Sequence, residues 1–320
     1  MTAMKWKKLG QVFDPTRYPK LDGRFQFAQS PQALAFDGFV RVYFSTRERE
    51  PDGMYFSHVA WVDFDPLFRH VVGVSQRPVL SRAGLGCFDE HGVFPFSPIR
   101  HGSRLLAYTT GWSRRLSVAV ETEIGLAESH DGGETFLRLG AGPVLSASMN
   151  EPFLVADGFV RVYAGIFHMW YIFGTEWQHY HPDAAPERTY KIGHATSVDG
   201  IFWEKEEARQ VVPDILGAQE CQALPTVAYI GDSWHMYFCY RQSFDFRTNA
   251  SRGYRLGYAR SHDLLNWTRD DSGMGIGFSE SGWDSSMMCY PHLFESGGRN
   301  WMLYNGNDFG KMGFGLATLE

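Results

Sequence analysis

The chain has 320 residues, of which 44% are hydrophobic and 21% charged, and its formal net charge is −6. This composition is typical of a globular protein with a substantial core. Basic residues are dispersed and no run of 18 apolar residues occurs, so neither nucleic-acid binding nor membrane insertion is predicted. The absence of a leader-like start and of any C-x-x-C pair favours a cytoplasmic protein with reduced cysteines.

Aromatic residues are unusually frequent, at 16% of the chain. Aromatic side chains favour β-strands and fill the cores of β proteins. They also line carbohydrate sites, because the C–H faces of sugars stack on rings. An all-β core accounts for most of them.

The first predicted element in chain order is a strand in "KWKKLGQVF" near the N-terminus. A repeated unit follows: a proline, a short apolar stretch, a polar turn and an alternating strand that ends in Tyr and small residues. Its clearest sign is the stretch "DGFVRVY", which occurs at residues 37–43 and again at 157–163. Each unit predicts an antiparallel hairpin. The five unit prolines are Pro31, Pro98, Pro152, Pro225 and Pro291, with spacings of 67, 54, 73 and 66 residues.

A second element follows the hairpin in the middle three units: "IGLAESHDGGETF", "IGHATSVDGIFW" and "LGYARSHDLLNW". Each contains Ser-x-Asp and then an aromatic residue. The first of them, from Ser129 to Phe136, resembles the Asp-box turn of sialidase-type propellers. Since Asp and Ser side chains bond turn amides, Asp131, Asp199 and Asp263 are predicted to be structural. A fourth strand is expected next, as in "RLGAGPVL" or "EEARQVVP".

Four short strands per unit at a period near 65 residues predict a five-bladed β-propeller with four-stranded antiparallel blades. We expect residues 1–320 to form a single domain. The fifth unit ends in "MGFGLATLE", a third strand with no fourth after it. The N-terminal strand is therefore expected to close the last blade, which removes exposed sheet edges.

In this topology the residues before each proline and those after each second strand share one face, where a central funnel opens. Acids near the strand entries are candidates for the carboxylate pair that glycosidic cleavage requires. Structural capping of loops is the alternative role for each of them. The candidate catalytic residues are Glu220, Glu151, Asp89, Asp284 and Asp22.

Residues that follow the second strands are candidates for binding a carbohydrate or sugar-phosphate ligand. Arginines in a funnel suit a carboxylate or phosphate group, and aromatic rings suit a sugar face. The candidate binding residues are Arg47, Trp112, Arg114, Tyr240, Arg241, Asn307 and Asp308. No cofactor is predicted because the chain lacks a phosphate loop and a dinucleotide fingerprint. No metal site is predicted, since His179 and His181 lack a third ligand nearby.

The whole layout resembles the five-bladed glycosidase superfamily of arabinanases, xylosidases, invertases and mannoside phosphorylases. In that group an Asp before the first-blade proline is usually the base or nucleophile, a later Asp-Pro orients the site, and a Glu is the acid. By position the resemblance implies Glu220, in "ECQ", as the acid and Glu151, in "NEP", as the orienting group. The first-blade position is Ser30, in "QSP", where the usual carboxylate is missing.

The expected function is that of a glycoside hydrolase-like enzyme acting on a carbohydrate or glycoconjugate. The alternatives are a catalytically silent propeller that binds a glycan or a protein in polysaccharide assembly, and glycosyl transfer or phosphorolysis on the same scaffold. The fold by itself does not choose among these functions.

Overall fold

The computed structural model describes residues 4–18, 25–51 and 53–320. Within them, β1 (Trp6–Phe13) is followed by four strands for each of the first four blades and three for the fifth. Blade 1 contains β2 (Phe25–Phe36), β3 (Phe39–Arg49), β4 (Tyr55–Phe64) and β5 (Val71–Val74). Blade 2 contains β6 (Val93–His101), β7 (Arg104–Arg114), β8 (Val120–Ser129) and β9 (Leu137–Arg138). Blade 3 contains β10 (Val155–Tyr163), β11 (Ile166–Gln178), β12 (Glu187–Ser197) and β13 (Glu204–Lys205). Blade 4 contains β14 (Glu220–Ile230), β15 (Ser233–Gln242), β16 (Arg255–Ser261) and β17 (Thr268–Arg269), and blade 5 contains β18 (Cys289–Ser296), β19 (Arg299–Asn305) and β20 (Phe314–Leu319).

The five sheets confirm the predicted propeller, because each is a meander of four antiparallel strands. The fifth sheet has the order β1-β20-β19-β18, so the N-terminal strand closes the last blade as predicted. Its register runs from Trp6 opposite Leu319 to Phe13 opposite Phe314. Two fourth strands lie earlier than predicted: β9 shares only Arg138 with "RLGAGPVL", and β13 lies directly before "EEARQVVP". The assignment of the chain to a single domain stays a prediction.

Deletion of residues 1–13 is expected to lower the free energy of unfolding by more than about 5 kcal/mol, since loss of one buried large aromatic side chain costs about 3–5 kcal/mol. Trp6 and Phe13 are both buried, and the Trp6 indole donates to the Tyr237 hydroxyl at 2.8 Å. The deletion also exposes the edge of β20. Urea unfolding checks this, with a chain lacking only residues 1–3 as the control. Equal midpoints for the two truncations would contradict the closure argument.

Each inner strand carries a two-residue bulge at the same point of the ladder. The register shifts at Ser30–Pro31, Phe94–Pro95, Asp157–Gly158, Leu224–Pro225 and Tyr290–Pro291. The first residues of these pairs are spaced by 64, 63, 67 and 66 positions, a more regular period than that of the five unit prolines. Pro98 and Pro152 are therefore not the equivalents of the other three unit prolines.

The two copies of "DGFVRVY" occupy different places in their blades, which corrects the prediction that both are matching hairpins. In blade 1, Asp37 and Gly38 form the turn between β2 and β3. In blade 3, Asp157 and Gly158 form the bulge of the innermost strand, and the hairpin turn comes later, at residues 164 and 165. Asp-Gly serves both purposes because either residue tolerates a positive φ, which is 81° at Gly38 in the turn and 56° at Asp157 in the bulge.

Aromatic side chains pack the blades against one another. Between blades 1 and 2, the Tyr43 ring lies 5.2 Å from Phe96 and 5.8 Å from Phe136, and its hydroxyl donates to the Gly133 carbonyl at 2.7 Å. Phe136 ends the Asp-box turn, whose Asp131 accepts from the Thr135 amide at 2.9 Å. This Ser-x-Asp turn thus ties blade 1 to blade 2. Within the described part of the chain, no helix is long and apolar enough to cross a membrane.

Candidate functional site

A cavity of about 450 Å³ opens on the propeller axis at the face where the inner strands begin. All five blades contribute side chains to it, among them Arg47, Trp112, Asp157, Arg241 and Tyr290. It is therefore the funnel that the topology predicts. A convergence of charged and aromatic groups from different blades is typical of a ligand site.

Asp157 supplies the single carboxylate among the described residues that line the funnel. The bulge of β10 places it at the top of the innermost strand, where it is 7% exposed. Its carboxylate accepts the Leu224 amide at 3.1 Å, and its own amide donates to the Thr110 hydroxyl at 2.8 Å. Burial raises the pKa of Asp157 to about 7, although the Leu224 amide and the Arg188 charge act in the opposite direction. A carboxyl group of this kind can exchange a proton at neutral pH.

Four arginines line the same cavity: Arg47, Arg188, Arg241 and Arg247. Of these, Arg247 is paired with Glu187 at 3.0 Å. The other three form no ion pair with any described carboxylate. The funnel thus presents an excess of positive charge to any ligand that enters it.

Arg241 is the most deeply placed of these arginines, at 2% exposed. It donates to the Tyr190 hydroxyl at 3.0 Å and to the Gln242 carbonyl at 2.7 Å, and it lies 3.5 Å from the centre of the Phe246 ring. Its Nε has no hydrogen-bond partner among the described residues. The Tyr254 hydroxyl forms a hydrogen bond with the Tyr190 hydroxyl at 2.8 Å on this side of the funnel. Arg241 is therefore held rigidly and retains an unused donor.

Aromatic rings complete the walls of the funnel. Trp112 belongs to a row of packed rings, with His91 at 5.5 Å and Phe56 at 5.5 Å from His91. Tyr290 lies 5.7 Å from Tyr254 across the blade 4 and blade 5 boundary. Rings held by such packing offer fixed stacking surfaces for a sugar.

Of the predicted binding residues, Arg47, Trp112 and Arg241 line the funnel. Arg114 lies beside it, bonded to the Tyr55 carbonyl at 2.7 Å and 5.7 Å from the centre of the Trp112 ring. Tyr240 is turned away and packs under Arg269.

Asn307 and Asp308 are also absent from the described lining. Asn307 accepts the amides of Ser286 and Met287 at 3.0 Å each and so closes a loop. Asp308 is exposed in the short 3₁₀ segment that follows β19.

The predicted catalytic acids do not converge on the funnel. Asp22 lies outside the described residues, and the other four carboxylates turn towards the outermost strand of their own blade. There each is buried in an ion pair with a basic residue. The pairs are Asp89–Arg138 at 2.5 Å, Glu151–Lys205 at 2.8 Å, Glu220–Arg269 at 2.6 Å and Asp284–Lys8 at 2.7 Å. We call these four ion pairs the blade buttresses.

Glu220 shows how completely such a carboxylate is occupied. It accepts the amides of Ile215 and Leu216 at 2.9 Å each, the Gln222 side chain at 3.0 Å and the Arg269 guanidinium at 2.6 Å. Glu151 is similarly bonded to the Tyr171 hydroxyl at 2.8 Å. These contacts fit a structural role in fixing the loop before each inner strand, and the catalytic roles of these acids stay predictions.

The bulge of β10 also corrects the position carried over for the orienting group. Glu151 precedes the inner strand by four residues, whereas Asp157 occupies the bulge that Ser30 occupies in blade 1. Sequence reasoning missed Asp157 because the repeat of "DGFVRVY" placed it in a hairpin turn. The regular spacing of Ser30, Phe94, Asp157, Leu224 and Tyr290 is the signal that identifies it. The described residues contain no cluster of three or more His, Cys, Asp or Glu side chains suited to a metal ion.

Comparison with known proteins gives relatives of unknown activity and structural neighbours of known class. No family model matches the chain. Two proteins of Mycobacterium tuberculosis, "Uncharacterized protein MT1551" of strain CDC 1551 / Oshkosh and "Uncharacterized protein Rv1502" of strain ATCC 25618 / H37Rv, are each 32% identical over 320 residues. These cover 99% of this chain and 100% of theirs.

Solved structures with the same architecture include five-bladed glycosidases. An RGII complex of BT0996 has a TM-score of 0.73 at 18% identity, and a structure described as a glycoside hydrolase has 0.74 at 17%. Each match covers 99% of this chain and 92% of the other. A thermostable family-43 glycoside hydrolase has 0.64 at 13%, covering 92% of this chain and 88% of the other. The likeness shows that this chain shares its fold with these structures.

Proposed function

Because the chain belongs to the family of the two Mycobacterium tuberculosis proteins and has the fold of five-bladed glycosidases, we propose that its funnel binds and processes a carbohydrate bearing an anionic group. One observation carries the proposal: among the described lining residues, Asp157 is the single carboxylate, and it lies with arginines that have no described ion-pair partner. The RGII complex of BT0996, a structural neighbour, supports a sugar ligand.

In this proposal Arg241 and Arg188 bind the anionic group of the ligand, which is a uronate carboxylate or a phosphate. Charge-assisted hydrogen bonds from guanidinium groups are among the strongest in proteins. Trp112 and Tyr290 supply surfaces for the sugar ring. Asp157 is assigned proton transfer, since burial raises its pKa to about 7 and a catalytic acid or base works best near the operating pH.

Phosphorolysis is a second candidate, favoured by the composition of the lining. Hydrolysis by glycosidases ordinarily uses two carboxylates, and the described lining offers Asp157 alone. In phosphorolysis, a phosphate oxygen held by the arginines forms a bond to the anomeric carbon as the glycosidic C–O bond breaks. Asp157 gives its proton to the leaving oxygen, and the products are a sugar phosphate and a free hydroxyl group.

An activity panel tests the proposal. Purified protein is incubated with neutral, uronate-bearing and phosphorylated glycosides, each with and without inorganic phosphate. Release of the aglycone only with phosphate supports phosphorolysis, and release in both conditions supports hydrolysis. Binding of acidic sugars without any turnover would instead support the silent-propeller alternative. Failure to bind any acidic sugar would overturn the proposal.

Arg241→Gln is expected to weaken binding of an acidic sugar by about 10–100-fold, because a hydrogen bond to a charged group contributes about 1.5–3 kcal/mol. A neutral sugar should lose little. Arg247→Gln is the matched control, since the Arg247 guanidinium is already paired with Glu187. Calorimetric titration of both variants measures the difference. Equal losses of affinity for acidic and neutral sugars in Arg241→Gln would contradict the selection of ligands by charge at Arg241.

A further inference from the structure

A second cavity of about 450 Å³ opens on the axis at the opposite face of the propeller, where the inner strands end. All five inner strands contribute to it. Its polar and charged lining residues are Arg100, Arg161, Tyr163, Tyr229, Glu295 and Asn300.

Two rings lie between this cavity and the funnel. Phe159 of blade 3 and His292 of blade 5 have ring centroids 6.1 Å apart. Since blades 3 and 5 are not neighbours, these rings meet across the axis. On both strands the preceding residues line the funnel, at Asp157 and Tyr290, and the following residues line the second cavity. The second cavity is therefore a separate compartment.

Arg161 brings a charge to this compartment without a described counter-charge. Its guanidinium lies 4.1 Å from the centre of the Phe159 ring and donates to the Val160 carbonyl at 2.8 Å. It forms no ion pair with a described carboxylate, although Glu295 lines the same cavity. Burial lowers the pKa of Arg161. The Arg161 side chain is partly buried. An unpaired cation is costly to desolvate, and an anion beside it offsets that cost.

His292 is a second group whose hydrogen-bonding capacity is unused. The side chain is 1% exposed, and neither ring nitrogen has a hydrogen-bond partner in the described structure. The Ala33 carbonyl lies near the ring but outside hydrogen-bond geometry. Burial, followed by the Arg161 charge, holds the pKa of His292 well below its ordinary value. The neutral ring therefore offers one N–H donor, and buried polar groups of this kind ordinarily have a partner.

We propose that the cavity at this opposite mouth binds an oxyanion group, phosphate or sulfate, through Arg161, which lines it. The planar guanidinium suits the oxygens of such an anion. The cavity volume of about 450 Å³ accommodates either the free ion or the phosphate end of a small ligand. The site is independent of the funnel ligand proposed above, because Phe159 and His292 separate the two cavities.

Calorimetric titration with inorganic phosphate tests the site, and glucose 1-phosphate in a parallel titration distinguishes the free ion from a phosphorylated ligand. All titrations use an Arg241→Gln background, which weakens anion binding in the funnel. Adding Arg161→Gln is expected to lower the remaining phosphate affinity by about tenfold or more. Arg161→Lys should lower it by less, because a lysine keeps the positive charge but lacks the planar guanidinium with its paired N–H donors. The melting curve of each variant verifies folding.

Two results would overturn the proposal: no phosphate or sugar-phosphate binding in the Arg241→Gln background, or equal affinities with and without Arg161. If Arg161→Gln does not fold, Arg161→Lys alone decides, since an unchanged affinity in that variant contradicts recognition by a guanidinium. Tighter binding of glucose 1-phosphate than of inorganic phosphate assigns the site to a phosphorylated ligand. The reverse order assigns it to the free ion.

Discussion

Replacing Asp157 with Asn should lower turnover by about two to four orders of magnitude, the usual contribution of a general acid or base. Asn retains the shape of the side chain and an oxygen that can accept the Leu224 amide, whose distance is 3.1 Å in the native protein. It lacks the exchangeable proton. Steady-state kinetics on the best substrate of the glycoside panel measures the effect. A variant that retains native turnover would show that Asp157 is not the proton-transferring group.

The same substitution should increase stability in alkaline solution. The pKa of Asp157 is raised from 3.8 to about 7 by burial, so the folded state binds the proton more tightly than the unfolded state. Native stability is then highest below pH 4 with respect to this group and falls as the pH rises towards 7. At pH 8 the ionised Asp157 carboxylate lowers the free energy of unfolding by at most about 4 kcal/mol, since each unit of pKa shift corresponds to about 1.36 kcal/mol.

Urea unfolding of both proteins at pH 5 and pH 8 checks this linkage. Asp157→Asn should be the more stable protein at pH 8, and its advantage should shrink at pH 5. A larger advantage at pH 5 than at pH 8 would contradict the sign of the shift. Higher stability with lower activity is the pattern expected when a carboxylate is buried for function.

Replacing Arg269 with Met should lower the free energy of unfolding by about 3–5 kcal/mol, because it leaves a buried carboxylate without its counter-charge. Arg269 and Glu220 are both nearly inaccessible and meet at 2.6 Å. The double variant Glu220→Gln with Arg269→Met removes both charges of this pair and should recover part of the loss. The rest remains because Asp271, which meets Arg269 at 3.0 Å, also loses its partner. Chemical denaturation of the two single variants and the double variant measures the coupling. Additive losses would contradict a paired buttress.

Glu220→Gln separates the structural role from the catalytic role that the sequence predicts. If Glu220 is structural, Glu220→Gln lowers the melting temperature and leaves turnover per folded molecule at the native value. If Glu220 is the catalytic acid, Glu220→Gln lowers turnover and leaves folding nearly unchanged. Asp284→Asn, at the equivalent buttress of blade 5 with Lys8 at 2.7 Å, is the matched control. A turnover loss in Glu220→Gln that is absent from Asp284→Asn would restore Glu220 as the acid.

Strand direction predicted the position of three candidate binding residues at the funnel, while their role in binding stays a prediction. Arg47, Trp112 and Arg241 come at or near the ends of second strands, and each reaches the funnel. The prediction was less useful for Asp89 and Glu151, which precede inner strands, and for Glu220, which begins β14, because the chain entering a strand can turn its side chains either way. Their partners are distant in sequence: Arg138 and Arg269 lie 49 residues, and Lys205 54 residues, along the chain.

The amino-acid sequence by itself determined the five blades, the closing strand and the structural Asp turns. Strand alternation and Ser-x-Asp hydrogen bonds are local, so contiguous residues specify them. Only the tertiary structure decided which carboxylate enters the funnel, because a shift of one residue in a strand turns every side chain to the opposite face. The bulge at Asp157 and the buttress at Glu220 are such decisions of register and of long-range pairing. Identical stretches could therefore form a turn in blade 1 and a bulge of the inner strand in blade 3.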